Sequence, residues 1–426
     1  MPKIIIRKCD EYDKERLIRI FLEGMEILNL KSRIKGKITI KPNVVLAHPK
    51  VAPSAFTRPE FISALLSAFE KVKIDPLSFS IVENSGTGVP TSRMYKRAGY
   101  LKLKKMYNLK LRAFEESRKT RVKLKKGKVH SEITVQRDLI ENDLLVYAPK
   151  LKTNVLASGM TASIKLNIGI IGDKERMMHH TYRLPEKIVD LLEIGYPDFI
   201  ATDAIEIGMG GNQMTEYPLH LGAVIMSNHS LAHDMICAHI LNLEPKKLPL
   251  LVEASQREYG SLELNDIDID TDINLEELRR KTGERDIGFI RVENLDGPIR
   301  VLSGEPYCIG GCQGIMLDWL YMLKDRAPST FNKKRDLTVV IGEYNGDVSS
   351  KRIILLGDCT KVNGRIEAKR ISRIKGCPVR HKDLILHFFL KTFIRAPLMR
   401  LDLLIDAYPF LWLSHLKGWV RERIEH

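Results

Sequence analysis

The sequence Lys37-Ile38-Thr39-Ile40-Lys41-Pro42-Asn43 is typical of a strand that ends in a proline-containing loop. A helix is predicted to begin at Thr57-Arg58-Pro59-Glu60, because proline suits a first helical turn. A second strand, Phe79-Ser80-Ile81-Val82-Glu83, leads into the loop Asn84-Ser85-Gly86-Thr87-Gly88. Strand, helix and strand in this order indicate parallel α/β structure, whose ligands bind beyond the carboxyl ends of the strands. We therefore expect Asn43 and the loop 84–88 to lie at a binding edge.

The same alternation of strand and helix patterns extends over residues 1–150. It predicts an α/β fold with a mostly parallel sheet core and helices on both faces. The expected organisation is an α/β domain over residues 1–260, a connecting segment over 261–300, a smaller α/β cysteine domain over 301–382 and a helical tail over 383–426. Within the third part, two strands are expected around the turn Tyr344-Asn345-Gly346-Asp347.

Lysines and small polar residues follow the apolar strand Leu144-Leu145-Val146-Tyr147-Ala148. They belong to Pro149-Lys150-Leu151-Lys152-Thr153-Asn154 and to Met160-Thr161-Ala162-Ser163-Ile164-Lys165-Leu166-Asn167-Ile168-Gly169. Because lysine is a compact point charge whose pKa falls on burial, this pattern predicts an anion pocket in which Lys165 acts as an acid or a base. His179 is a second candidate for proton transfer near neutral pH. Taken alone, each is better interpreted as a solvated surface side chain, and only the neighbouring residues favour a functional role for Lys165.

Another strand, 199–206, ends in the loop Gly208-Met209-Gly210-Gly211, which suits close approach of the backbone to a ligand. The residues expected to contact substrate share a position near a strand end; they are Asn43, Lys150, Lys152, Thr161, Asn167, Asp203, Glu206 and Gly210. His229 and His233 lie four residues apart and so share a helical face. That spacing suits a metal, but a pair without a third ligand favours a structural role.

Four cysteines occur in glycine-rich or turn-like sequences: Cys308 and Cys312 in Cys308-Ile309-Gly310-Gly311-Cys312, Cys359 in Gly357-Asp358-Cys359, and Cys377 in Gly376-Cys377-Pro378. Soft thiolates hold iron–sulfur clusters, and glycine lets the backbone approach the sulfides. The pattern predicts a 4Fe-4S cluster on these four residues. A tetrahedral zinc site and ordinary buried thiols are the alternatives. Cys9 and Cys237 stand apart and are interpreted as structural.

The chain of 426 residues is 44% hydrophobic and 28% charged, as expected of a globular protein that can form a large core. Its net charge of +15 suits an anionic partner, for which nucleic acid, anionic lipid and an anionic substrate are the candidates. Six cysteines are too few for a disulfide scaffold, and no signal sequence is recognised, so a cytoplasmic location is expected. The local excess of basic residues in 93–128 has few aromatic residues between its charges. It predicts a solvated face and no specific nucleic-acid binding.

The segment 384–420 is apolar with interleaved Lys and Arg and carries Trp412 and Trp419. Its first part is expected to be a core helix. The rest could lie on the inner face of a membrane as a peripheral contact, pack on the protein, or form a homodimer.

Several of these segments resemble the family called domain of unknown function 362. The resemblance covers about residues 35–260 and is carried by Lys41-Pro42-Asn43, the two lysine segments, Asp203-x-x-Glu206 and 229–234. The family usually has His at the position of Asn154, and His229 replaces its usual Asp. Members are often described as iron–sulfur proteins, with ferredoxin-type cysteine runs that this chain lacks. The Gly-Asp-Cys and Gly-Cys-Pro segments instead look like the last two cluster ligands of hydrogenase and complex I small subunits.

The resemblance and the residues together predict an iron–sulfur redox protein that acts on a small anionic substrate or cofactor and exchanges electrons with a redox partner protein. By analogy with lactate racemase, which has a comparable lysine and histidine pocket, a non-redox isomerase or lyase is the alternative. A third possibility is a membrane-associated electron-transfer or scaffold protein.

Overall fold

The structure is a computed structural model that describes residues 1–48, 51–73, 75–156, 159–210, 212, 217–284, 291–392, 394 and 401–424. Its strands are β1 (Lys3–Lys8), β2 (Lys37–Pro42), β3 (Ser78–Glu83), β4 (Leu109–Ala113), β5 (Lys119–Lys123), β6 (Glu132–Gln136), β7 (Leu144–Ala148), β8 (Lys150–Asn154), β9 (Gly159–Thr161), β10 (Phe199–Met209), β11 (Tyr217–Ser227), β12 (Asp268–Thr271), β13 (Arg300–Ser303), β14 (Leu337–Asn345), β15 (Val348–Ser349), β16 (Arg352–Asn363), β17 (Ile366–Glu367) and β18 (Arg370–Ile374).

The α-helices are α1 (Lys14–Ile27), α2 (Pro59–Val72), α3 (Thr91–Arg97), α4 (Tyr100–Met106), α5 (Ser163–Leu166), α6 (Asp173–Met177), α7 (Leu184–Asp190), α8 (Ser230–Ile240), α9 (Pro249–Gln256), α10 (Leu275–Gly283), α11 (Cys312–Arg326), α12 (Pro328–Phe331), α13 (His381–Thr392) and α14 (Leu401–Ile424).

A ten-stranded sheet forms the centre of the fold, in the order β12-β1-β11-β10-β7-β2-β3-β4, with β8 and β9 attached to β10. Strands β10, β7, β2, β3 and β4 run parallel to one another, whereas β11 is antiparallel to β1 and β10. The prediction of a mostly parallel α/β core is confirmed. Because β2 and β3 are adjacent and parallel, Asn43 and the loop 84–88 meet at one edge of the sheet.

Helices cover both faces of this sheet, as predicted. Successive side chains of a strand point to opposite faces, and in β1 the side chain of Ile5 packs in the core with α1 and α2 while Ile4 and Ile6 pack in the core with α7 and α8. Two apolar layers, one on each face, therefore hold the strands in place, and the positions of the strand ends determine where the following loops lie.

The segment 261–300, expected to be a connection, adds to this sheet. Strand β12 pairs parallel with β1, Lys3 opposite Asp268, and Leu278 of α10 is buried against α8 and its neighbours. Aspartates alternate with isoleucines in this segment, so the isoleucines face the protein while the aspartates pair with Lys3 and Arg7. The alternation is that of a half-buried edge strand.

A second sheet, β13-β14-β16-β18, is parallel throughout. The strands expected around the turn 344–347 are present, but they pair in parallel, with Leu337 opposite Arg352. A hairpin does not form because the chain turns sideways into β15, which pairs with β17 of the following turn. Strands β14 and β16 are therefore parallel neighbours in one sheet, and the chain passes from one to the other through β15.

The two C-terminal helices pack on different parts of the protein. In α13, Leu384 and Phe388 are buried, and the Phe388 ring lies 4.6 Å from the Trp319 ring of α11. In α14, Ser414 donates a hydrogen bond to Glu116 at 2.9 Å, and Phe410 lies under the guanidinium of Arg93. Among the described helices, none is long and apolar enough to cross a bilayer.

Candidate functional site

A cavity of about 660 Å³ lies where the carboxyl ends of β2, β3 and β8 meet helices α7, α11, α13 and α14. Its polar lining comes from the strand ends and includes Lys41, Asn43, Glu83, Lys152, Thr161, Lys165 and Arg176. A second cavity of about 410 Å³ lies between α1 and β12, but its Arg7 is already paired with Glu23 and Asp270. The first cavity therefore offers the more suitable ligand site.

At the floor of the cavity, Lys41 and Glu83 form a buried ion pair, with 2.8 Å between Nζ and Oε1. Glu83 also accepts the backbone N–H groups of Val44 and Asn84, each at 2.9 Å. One carboxylate thus ties together the chain leaving β2 and the chain leaving β3. Burial lowers the pKa of Lys41, and Glu83 opposes that effect.

A glycine makes this arrangement possible. A Cβ atom added at Gly169 would lie 2.1 Å from Oε1 of Glu83 and 2.8 Å from Nζ of Lys41. Both distances are far inside van der Waals contact, so a larger residue would displace the ion pair. The carbonyl of Gly169 also accepts the N–H of Asn84 at 3.0 Å. The need for glycine at this position is therefore steric.

Two further lysines line the cavity beside this pair. Burial and the neighbouring Lys165 charge lower the pKa of Lys152 to about 7, although Asp318 acts in the opposite direction. Burial and the Arg176 guanidinium lower the pKa of Lys165 to about 8. Because these cations repel one another, an anion that enters the cavity would reduce the repulsion and raise the pKa values of Lys152 and Lys165.

Several polar groups at this wall lack a partner. Within the described part of the chain, the Lys165 ammonium has no hydrogen bond or ion pair. The hydroxyl of Thr161 and Nε of Arg176 are buried without a hydrogen-bond partner. Buried polar groups are normally satisfied, so these three donors are available for a bound ligand.

The segment that carries Lys165 is held in place by Asp234 of α8. The Asp234 carboxylate accepts the N–H of Ser163 at 2.8 Å and that of Ile164 at 2.9 Å. It also lies 2.8 Å from Nδ1 of His233, whose Nε2 lies 2.8 Å from the Thr202 hydroxyl. Asp234 therefore positions Lys165 without touching the cavity.

The two histidines expected on one helical face have separate structural roles. His229 accepts the N–H of Ala232 at 3.2 Å through Nδ1 and so caps the start of α8. His233 is buried between Thr202 and Asp234. The structural interpretation preferred from the sequence agrees with this arrangement.

Of the predicted substrate contacts, Asn43, Lys152 and Thr161 line the cavity, as does the predicted acid or base Lys165. Asn43 also accepts the N–H of Lys150 at 2.8 Å, which fixes the start of β8. Asn43 follows β2, whereas Lys152, Thr161 and Lys165 lie on β8, β9 and α5 much later in the chain. The lysine segments therefore converge with the β2 loop.

The other predicted contacts lie outside the cavity lining. Lys150 forms a buried ion pair with Asp203 at 3.0 Å, in a cluster that also includes Tyr12 and the charge of Glu206. The remaining two are satisfied within the fold. Asn167 accepts the Tyr147 hydroxyl at 2.7 Å, and the Gly210 carbonyl accepts the Thr153 hydroxyl at 2.9 Å.

His179 is exposed, with a φ of 51°, and the cavity is lined instead by the following residue, His180. Arg176, three residues earlier, reaches back to donate to the Asn84 carbonyl at 2.6 Å and also to the Ser85 carbonyl. Sequence reasoning did not select Arg176, His180 or Glu83. Glu83 could have been predicted from its position, because it ends β3 directly before the loop 84–88.

The four cysteines of the C-terminal part come together near this cavity. Burial and the thiols of Cys359, Cys308 and Cys377 raise the pKa of Cys312 to about 12, and the backbone of Val379 acts in the opposite direction. Burial and the thiols of Cys359 and Cys377 raise the pKa of Cys308. Each thiol thus lies within electrostatic range of the others.

Backbone elements around the thiols allow close approach. Gly357 has a φ of 100°, and a Cβ added there would lie 3.3 Å from the Cys312 sulfur. The segments that carry Cys359 and Cys377 are joined, because the Gly376 N–H donates to the Asp358 carboxylate at 3.0 Å. Four soft sulfur donors are the donor set that an iron–sulfur cluster needs. The described residues contain no group of three or more His, Cys, Asp or Glu side chains placed around a single-ion position.

One short segment separates the cysteines from the cavity. The backbone of Tyr182 lowers the pKa of the Cys308 thiol, against burial, and His180 and Leu184 on either side line the cavity. Helix α11 begins at Cys312 and contributes Trp319 and Met322 to the cavity wall. The thiols and the cavity wall therefore share supporting elements.

Comparison with known proteins gives a match over the region that forms the cavity floor. Residues 38–239 match the family described as Domain of unknown function (DUF362). The resemblance predicted from the lysine segments is thereby confirmed for that region. A thylakoid-associated protein of Synechocystis is 22% identical over 250 residues, which cover 57% of this chain and 74% of that protein.

Two solved structures are similar at low identity. The lactate racemase apoprotein of Thermoanaerobacterium thermosaccharolyticum gives a TM-score of 0.40 at 12% identity, covering 80% of this chain and 70% of that chain. A protein of Thermotoga maritima gives a TM-score of 0.36 at 12% identity, covering 78% of this chain and 71% of that chain.

Proposed function

We propose that this protein is an iron–sulfur redox protein that binds a small anionic substrate or cofactor in the cavity. The single observation that carries the anion site is Lys165, a cation without a partner among the described residues, placed beside Lys152 and Arg176. Cys308, Cys312, Cys359 and Cys377 would hold a 4Fe-4S cluster. That cluster would supply one-electron chemistry in exchange with a redox partner protein.

Charge and hydrogen-bond capacity support an anion at this position. Lys165, the Thr161 hydroxyl and Nε of Arg176 can donate to carboxylate or phosphate oxygens, and such charge-assisted hydrogen bonds are stronger than neutral ones. The carboxylate of Glu83 is already occupied by Lys41 and by two backbone N–H groups. The free hydrogen-bonding capacity of this wall is therefore that of donors.

Lys165 is also suited to proton transfer. Its pKa of about 8 lies close to neutral pH, where a general acid or base is most effective. Asp234 holds the segment of Lys165 through two backbone N–H groups, so the ammonium is presented to the cavity in a fixed position. Lys165 would donate a proton to a bound anion, or accept one from it.

The chemistry and local sequence of the thiols favour a cluster over zinc. All four residues are soft sulfur donors, and glycine lies one or two positions before Cys312, Cys359 and Cys377, where it lets the backbone approach the sulfides. A zinc site with four thiolates is the alternative, and analysis for iron and sulfide distinguishes the two.

The anion site is tested by isothermal titration of the full chain with sulfate and with acetate. Lys165→Met should weaken binding at least tenfold, because it removes the unpaired charge and keeps the apolar stem. Lys174→Met, an exposed lysine on α6, is the matched control and should bind as the unaltered protein does. Equal affinity of Lys165→Met and the control would refute the anion site.

The cofactor is tested by anaerobic purification with iron and acid-labile sulfide analysis, followed by electron paramagnetic resonance after reduction. About four irons and four sulfides per chain are expected from the cluster type. Cys377→Ala should lose them, whereas Cys9→Ala should keep them, because Cys9 lies in the core away from the other thiols. Zinc without sulfide in the purified protein would refute the cluster.

A non-redox isomerase or lyase is the second candidate, because proton transfer by Lys165 requires no electron. The two functions differ in electrochemistry. A cluster that is not reduced in the physiological range would remove the redox function and leave the isomerase or lyase. A cluster that is reduced, with a potential that changes on anion binding, would favour the redox function.

We also propose that α14 contacts a membrane surface. Its described part exposes Trp412, Leu413, Leu416, Trp419 and Val420, with Lys417, Arg421 and Arg423 among them. Tryptophan with basic residues suits an interface rich in anionic lipid, and the Synechocystis relative is named thylakoid-associated. In sedimentation with anionic vesicles, Trp412→Gln with Trp419→Gln should release the protein. Unchanged sedimentation would refute membrane contact, and vesicle-independent dimerisation lost in the variant would indicate a homodimer face.

A further inference from the structure

The cavity is lined by two chemically different sets of side chains. The cationic floor consists of Lys41, Lys152, Lys165 and Arg176. Helices α7, α11, α13 and α14 contribute an apolar wall, with Arg380 and Lys382 beside it at the start of α13; its apolar residues are Leu184, Ile188, Trp319, Met322, Leu384 and Leu411. A ligand that was only a small anion would leave most of this apolar wall uncovered.

We infer that the ligand is an amphiphilic anion, with a carboxylate or phosphate head on the cationic floor and an apolar body against the helices. This inference rests on the proposed anion site and names its substrate class. A volume of about 660 Å³ exceeds the needs of a two-carbon or three-carbon acid and lies within the range of pockets that enclose drug-sized molecules.

The helical wall is built to contact an apolar body. Trp319 and Leu384 are almost fully buried, and Trp319 is fixed by its contact with Phe388, so this part of the wall is preformed. Leu411 of α14 and Ile385 of α13 are half-buried and also line the cavity. The two C-terminal helices therefore form the part of the cavity farthest in sequence from the lysine segments.

The apolar wall gives a quantitative expectation. Burying one methylene group contributes about 0.8 kcal/mol, which corresponds to roughly a fourfold gain in affinity. Extending a carboxylate from two to eight carbons should therefore strengthen binding by at least a hundredfold, until the chain fills the cavity. A polar wall would give no such dependence.

The test is isothermal titration of the full chain with acetate, octanoate, dodecanoate and dodecanol, each below its micelle or solubility limit. The expected order is dodecanoate and octanoate far tighter than acetate, with dodecanol weaker than dodecanoate because it lacks the charge. Leu411→Gln should weaken octanoate at least fivefold and leave acetate unchanged. Met106→Gln, at an exposed methionine of α4 that does not line the cavity, is the control and should leave both unchanged.

The outcomes separate the two proposals. Equal affinity for acetate and octanoate would overturn the amphiphile and leave the anion site intact. Dodecanol binding as tightly as dodecanoate, with no effect of Lys165→Met, would overturn the anion site as well. Met322→Gln is a second variant of the apolar wall, for the case that Leu411→Gln disturbs α14 locally. If neither variant weakened octanoate binding, the helical wall would be excluded as the binding surface.

Discussion

Nζ of Lys41 lies 2.8 Å from Oε1 of Glu83, and both side chains are buried at the ends of adjacent parallel strands. The pair does not neutralise the cavity, because Lys152, Lys165 and Arg176 remain beside it. It instead fixes the loops that follow β2 and β3. The cationic floor thus has a rigid structural part and a part that is available to a ligand.

Gly169→Ala should destabilise the protein and weaken anion binding together. The new Cβ would lie 2.1 Å from Oε1 of Glu83, so the ion pair must move. Overpacking of this kind costs about 1–3 kcal/mol, and the free energy of unfolding in urea measures it. Gly99→Ala is the control. Its new Cβ would make an ordinary contact, 3.4 Å from Pro59, so the variant carries backbone strain from the positive φ but does not disturb the ion pair. It should lose stability and keep its affinity for sulfate. If Gly169→Ala bound sulfate normally, the Lys41–Glu83 pair would not shape the site.

Asp234→Asn should reduce anion affinity although Asp234 does not reach the cavity. The Ser163 and Ile164 N–H groups each donate to a different carboxylate oxygen and so hold the segment of Lys165. Asparagine has an NH2 group in place of one oxygen, so one of these hydrogen bonds is lost and the other loses its charge. We expect about a tenfold loss in sulfate affinity, together with a loss of about 1–3 kcal/mol in the free energy of unfolding. Asp296→Asn, on the surface, is the control. A variant with lower stability but unchanged affinity would show that Asp234 has no positioning role.

Lys165→Met should stabilise the protein at neutral pH while it loses anion binding. The pKa of Lys165 in the folded state, about 8, lies below its ordinary value of 10.5. The unfolded chain therefore binds more protons between these pH values, and the stability of the unaltered protein rises with pH across that interval. At pH 7 Lys165 is charged in the folded state, and the full cost of burying that charge is present. The free energy of unfolding of Lys165→Met should therefore be higher by on the order of 1 kcal/mol, after allowance for partial exposure of the side chain.

Urea unfolding at pH 7 and at pH 10 measures this difference. The gain of Lys165→Met over the unaltered protein should shrink at pH 10, where the lysine is largely neutral in the folded state. Lys174→Met should show no such pH dependence. A gain that is the same at both pH values would contradict the assigned pKa.

The sequence allowed the parallel core and part of the site to be predicted, because both depend on local signals. Strand, helix and glycine loop alternate between residues 37 and 88, and this pattern places Asn43 at the correct edge of the sheet. The lysine segments are conspicuous in composition, which explains why Lys152, Thr161 and Lys165 were selected. Composition did not distinguish Lys150, whose charge is used by Asp203.

Other features depend on long-range pairing, which the sequence does not state. Strand β12 joins the sheet because β1 offers it a parallel edge 265 positions earlier in the chain, Lys3 opposite Asp268. The choice between His179 and His180 depends on a positive φ at His179 that turns it outward. The apolar wall of the cavity comes from α11, α13 and α14, so only the folded chain reveals it.

The most direct test of the central claim, that a partly deprotonatable cationic floor binds an anion, is titration with sulfate at pH 6.5 and pH 9. Sulfate keeps its charge across this range, so a change in affinity reports on the protein. Lys152 and Lys165, with pKa values of about 7 and about 8, are protonated at the lower pH and largely neutral at the higher. We predict that sulfate binds at least tenfold more weakly at pH 9 and that Lys165→Met loses most of this dependence. Equal affinity at both pH values in the unaltered protein would contradict the account.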